Sequence, residues 1–201
     1  MLSGYCIAQP NNPYNQRGID FGNSIDLISS DFNAGKVKEF NDETVGQYSK
    51  LIPLQNQTSM DLVTSIMKTI KSPGFRIENV INNGTATDYT KQSIKEFFNP
   101  KNLPAEDFKR FLSGKADEVT KAKIPQPEKE FLLSMTAIAY NNMYYTSRAK
   151  AQCYIGTEQG YSNVPCYLAG AFVGATIGFY ACGVWCALGG AVVGAVLGSL
   201  C

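Results

Sequence analysis

Apolar residues recur at helical spacing along most of the chain. Ile19, Ile25, Ile28 and Phe32 mark a first helix, and Asn33, Ala34 and Gly35 supply its stop. Val37, Phe40, Tyr48 and Leu51 suggest a less regular second helix that ends before Pro53. Thr58 or Ser59 can cap a third, in which Leu62, Val63, Ile66, Met67 and Ile70 form one stripe before Ser72-Pro73-Gly74 ends it. Residues 75–88 hold an Asn-Gly turn signal and a few β-branched residues, a pattern that fits a short hairpin but favours a loop. Helical patterns resume over 89–98, with Ile94, Phe97 and Phe98, and again after Pro104, with Phe108, Phe111 and Leu112 inward. Glu128 and Glu130 open a long helix to about Lys150, whose inward face is Phe131, Met135, Ile138, Asn142 and Tyr145. No alternating pattern argues for a sheet, so the expected class is all-α: a bundle-like helical body over 18–150.

A different pattern takes over in the tail, residues 151–201. The last acidic residue is Glu158 and the last basic one Lys150, so 159–201 carry no charge. Small residues fall at every fourth position: Cys166, Gly170, Gly174, Gly178, Cys182, Cys186, Gly190, Gly194 and Gly198. Helical residues four apart share a face, and such a stripe lets two backbones approach closely. Glycine inside a helix costs roughly 0.5–1 kcal/mol relative to alanine, so six of them imply packing that offsets the cost.

One helix from 166 to 201 would run for roughly 54 Å at 1.5 Å per residue, well beyond a hydrocarbon core of about 30 Å. The stripe mirrors itself about position 184, which predicts an antiparallel glycine-zipper hairpin with its turn in 183–189. Gly170 would then lie level with Gly198, Gly174 with Gly194, and Gly178 with Gly190. Tyr180 and Trp185 near the turn are candidate interface aromatics. Cys182 and Cys186 are candidates for a disulfide at the closed end, and Cys166 and Cys201 at the open end. Cys153 is left unpaired or competes for Cys166; spacing does not determine connectivity.

Charge and chemistry narrow the function. A formal net charge of +1 gives no electrostatic reason to expect a nucleic-acid partner. Histidine is absent, which removes the commonest general base and most zinc sites, and there is no phosphate loop or calcium loop. No metal, cofactor or enzymatic activity is expected. Glu106 with Asp107, and Asp117 with Glu118, read as solvated surface, and Tyr140, Tyr144 and Tyr145 as core and rim packing.

At the N-terminus, MLSGYCIAQ reads either as the end of a secretory signal, residues 1–8, with Cys6 and Ala8 placed for cleavage before Gln9, or as an ordinary disordered terminus. Residues 9–17, QPNNPYNQR, read as an extended leader. Within and after it, Asn12, Pro13, Tyr14, Asn15 and Gly18 match N-P-Y-[DN]-x-x-G-x-x-H-N, an opening that resembles that of uncharacterised secreted proteins of Gram-negative bacteria. Phe21 and Gly22 replace the His and Asn of that pattern. The tail is also similar in composition to halocin-type Cys-rich peptides. Both resemblances imply a secreted or envelope protein.

Two functions follow. In one, the tail inserts into membrane or self-associates into a homo-oligomer, as a bacteriocin-like antimicrobial effector with a helical carrier domain. In the other, a soluble helical binding or structural protein keeps the tail hairpin as its buried core.

Overall fold

The computed structural model describes residues 9, 11–36, 60–70, 72–98 and 105–142 and, in the tail, 166–184 with 186, 187, 190, 191, 194 and 195. The described residues are all-α, with no strand among them. The helix expected over Val37–Leu51, the cap at Thr58 or Ser59, and residues 143–150 with Tyr144 and Tyr145 lie outside this set.

Seven helices are described: α1 (Asn15–Asn33), α2 (Met60–Ile70), α3 (Ile77–Asn83), α4 (Asp88–Phe98), α5 (Ala105–Lys121), α6 (Gln126–Asn142) and α7 (Cys166–Cys182). Their stops follow from sequence. Gly35 takes φ +69° just after α1, and Gly74 φ +74° after α2, a region that glycine enters without the steric cost of a Cβ. Thr87 caps α4: its Oγ1 accepts from the Thr90 amide at 3.3 Å.

Two local expectations are corrected. Asn15, Gln16 and Arg17 are helical rather than extended, because Asn12-Pro13 nucleates the first turn. The Asn12 Oδ1 accepts from the Tyr14 amide at 2.9 Å, and the Asn15 amide donates to the Asn12 carbonyl at 3.1 Å. Residues 77–83 form α3 rather than loop, because Ile77 and Ile81, one turn apart, are both fully buried.

The helices pack around α6. It touches α1 on one side and α4, α5 and α7 on others. Phe131 through Tyr140 are therefore all buried, where the sequence pattern argued for one inward face. By contrast α4 and α5 are amphipathic as expected. They bury Ile94, Phe97 and Phe98, and Phe108, Leu112, Ala116 and Val119, while Glu106, Asp117 and Glu118 are exposed. The charge-free helix α7 contacts α2, α3, α4 and α6, and every residue from Ala171 to Gly178 is buried.

Candidate functional site

A polar seam joins the first turn and α1 to α6. Gln9 and Asn12 are buried, yet their amides are well paired. Asn12 Nδ2 donates to Gln9 Oε1 at 2.7 Å, to the Leu133 carbonyl at 2.8 Å and to Thr136 Oγ1 at 3.0 Å. Gln9 Nε2 donates to the Leu112 carbonyl at 3.1 Å, which carries the seam on to α5. Asn15 Oδ1 accepts from the Gln9 amide at 2.8 Å and from Asn141 Nδ2 at 2.9 Å. Arg17 pairs with Glu130 at 2.5 Å, donates to Ser134 Oγ at 2.9 Å, and lies over the Tyr14 ring.

Close approach of α1 and α6 depends on Gly18 and Gly22, one turn apart. A Cβ on Gly18 would overlap the Ala137 carbonyl, and one on Gly22 would meet the Asn142 side chain. Asn142 Nδ2 donates to the Gly18 carbonyl at 2.9 Å. Phe21, standing at the position of the motif's His, is buried in the core. The residues that resemble a secreted-protein opening are thus the ones that dock the first helix.

The second feature is the tail. Contacts between α7 and the residues after it run in antiparallel order, with Gly170 against Gly194, Gly174 against Gly190, and Gly178 against Cys186. A Cβ on Gly174 would overlap the Gly190 carbonyl and lie 3.0 Å from the Gly194 amide. Gly174 therefore faces the gap between two glycines opposite rather than standing level with Gly194 alone.

The reason is the turn. Gly183, with φ +88°, breaks the helix alone, and the Ala187 amide already donates to the Gly183 carbonyl at 3.0 Å. Helix resumes at Val184, so the turn is shorter than the expected 183–189, and the closest pairs centre on 182 instead of 184. Cys186 is disulfide-bonded, and its partner sulfur lies outside the described side chains. The side chains of Cys166 and Cys182, and Cys153, Cys201, Trp185 and Gly198 altogether, also lie outside.

On the face of α7 away from the glycines, rings meet the body. Phe172 lies 5.6 Å from Phe97 and 5.9 Å from Phe98, and Phe179 stacks on Phe131 at 4.2 Å. Tyr180, expected at an interface, is half-buried with its ring against Gly84, where a Cβ would overlap it. Burial, with the Glu128 carboxylate adding to it, pushes the Tyr180 hydroxyl up to about 12. Glu128 is itself buried and accepts from the Thr87 amide at 3.1 Å and from its hydroxyl at 2.6 Å.

One further ionisable cluster joins α4 and α5. Lys115 Nζ lies 2.7 Å from both Glu96 and Glu118. Burial alone pushes its ammonium down, but the two carboxylates outweigh that and hold it above its ordinary value. Burial also raises the nearby Tyr89 hydroxyl, against the pull of Lys115. A lysine whose charged form two carboxylates favour ties helices together and is a poor nucleophile at neutral pH.

No group of three or more metal-ligating side chains gathers among the described residues. None of the described helices is long and apolar enough to cross a membrane. The sequence reading missed Gly84, Glu128 and the Gly18/Gly22 pair as contact residues. Of these only Gly18-x-x-x-Gly22 carried a local signal, the same small-residue spacing as the tail. Compared with family models, curated proteins and solved structures, the chain finds no match.

Proposed function

We propose that the chain is a helical structural or binding protein in which the charge-free tail serves as core, wrapped by the preceding helices. The observation that carries this reading is the unbroken burial from Ala171 to Gly178 against α2, α3, α4 and α6. A helix anchored permanently in lipid would present an apolar face with no protein on it, whereas both described faces of α7 are covered. The polar seam supports the same reading, since it ties α1 to α6 on a face other than the one Phe131 presents to the tail. The test is sedimentation of the full chain in detergent-free buffer, with vesicle flotation beside it. A monodisperse species that stays out of the vesicle fraction is expected; detergent-dependent solubility, or flotation without any trigger, would sink the reading.

A second reading keeps the membrane as an alternative destination for the tail, with the body as carrier. It is favoured by the absence of charge from 159 to 201, and by the aromatic character of the α7–body contact. Rings and aliphatic groups lose little when lipid replaces protein around them. Secretion to an oxidising compartment belongs with this reading and fits the disulfide at Cys186. Flotation that appears only after mild destabilisation of the body would favour it over a permanent core.

A further inference from the structure

The two faces of α7 are built differently. Toward 186–194 the contact is backbone on backbone: Gly174, Gly178, Gly190 and Gly194 leave no room for a single added carbon. Such a surface is complementary only to its own partner. Toward α3, α4 and α6 the contact is made by side chains, namely Phe172, Phe179 and Tyr180.

Two hydroxyls are stranded on that second face. Thr176 is fully buried, and its Oγ1 has no hydrogen-bond partner; the Tyr180 hydroxyl one turn later is buried without a partner as well. Residues 176 and 180 share a helical face, nearly opposite the one that carries 174 and 178. A buried hydroxyl without a partner costs the folded state its desolvation and returns that cost when the contact opens. The seam between α7 and the body is thus the less satisfied of the two contacts.

We infer that α7 and the described helical residues between 184 and 195 leave the body together, as one unit, along the seam lined by Phe172, Thr176, Phe179 and Tyr180. The glycine contact stays closed while the aromatic face opens. This goes beyond both functional readings, because it concerns which surface parts first and requires no membrane. It also makes the hairpin a local opening unit distinct from α6, which Asn12, Thr136 and Asn142 tie to the first turn and α1.

Hydrogen exchange of the full chain, read by mass spectrometry on peptides covering 171–178, 184–195 and 128–142, tests it. The two tail peptides should exchange at matching rates, faster than the α6 peptide. Thr176→Val, which keeps the shape and removes the stranded hydroxyl, should slow both tail peptides by a common factor of about ten. Tyr180→Phe should act in the same direction. Unequal protection of the two tail peptides would overturn the inference, as would exchange in step with α6. So would faster tail exchange in both variants, which would mean that the hydroxyls are satisfied in the closed state.

Discussion

The side chain of Asn12 donates to the carbonyl oxygen of Leu133 at 2.8 Å, across 121 residues of sequence. Its amide nitrogen bonds Gln9 and Thr136 as well, so one short side chain links the first turn to the middle of α6. Asn12→Ala should cost about 1–3 kcal/mol, because it leaves buried acceptors unpaired. Asn12→Asp should cost more, since it turns a carboxylate toward oxygen acceptors that need a donor. Urea unfolding of the three proteins checks the order; an Asp variant as stable as the parent would show that the seam is not closed as described.

Two glycines in helices should respond in opposite directions to the same change. At Gly174 the added methyl overlaps the Gly190 backbone, which cannot move aside as a side chain would, so Gly174→Ala should destabilise by about 1–3 kcal/mol or more. Gly114, in α5, has nothing within 4 Å of an added Cβ. Gly114→Ala should stabilise by about 0.5–1 kcal/mol through helix propensity. Thermal unfolding of the pair decides it, and a shift of the same sign in both would contradict the tail geometry.

High pH should loosen the tail. The folded Tyr180 hydroxyl is raised to about 12 from its ordinary 10.0, so the neutral form is the one the fold favours. That contribution is fully present below the unfolded value and is lost as pH rises through the folded one. Lys115 and Tyr89, both also raised, add losses of the same sign. Stability should therefore fall between about pH 10 and 12. Tyr180→Phe should have the shallower slope across that window; an identical slope would place Tyr180 in water.

The stack of Phe131 on Phe179 joins α6 to α7 at 4.2 Å with rings nearly parallel. Phe131→Ala should cost about 3–5 kcal/mol, and Phe131→Leu distinctly less, because the leucine keeps part of the volume. Denaturant midpoints of the two variants provide the measurement. A mild Ala variant would mean that the tail does not lean on α6.

Much of the bundle was legible because its signals are local. The period of Ile94, Phe97 and Phe98, the stop at Gly74 and the stripe at Gly170, Gly174 and Gly178 each depend only on neighbours within a turn or two. What escaped was set by partners distant in sequence. Residues 77–83 carry a weak helical pattern, and only burial of Ile77 and Ile81 against other elements makes them helix. The all-round burial of α6 could not be read from its own period, because it results from α1 and α7 arriving on different sides. The register of the tail slipped for a similar reason: a mirror in the sequence locates the two arms, but a single left-handed Gly183 decides how they interleave.

The central place of α6 also imposes an order on biosynthesis. Its surface is completed first by α1, already made, and only later by α7, whose residues follow some distance down the chain. Until α7 emerges, Phe131 has no ring to stack on, and a strip of α6 stands open to water or to a chaperone. The nascent chain therefore passes through a stage with an uncovered apolar groove, and its closure waits on the last helix to leave the ribosome among those described.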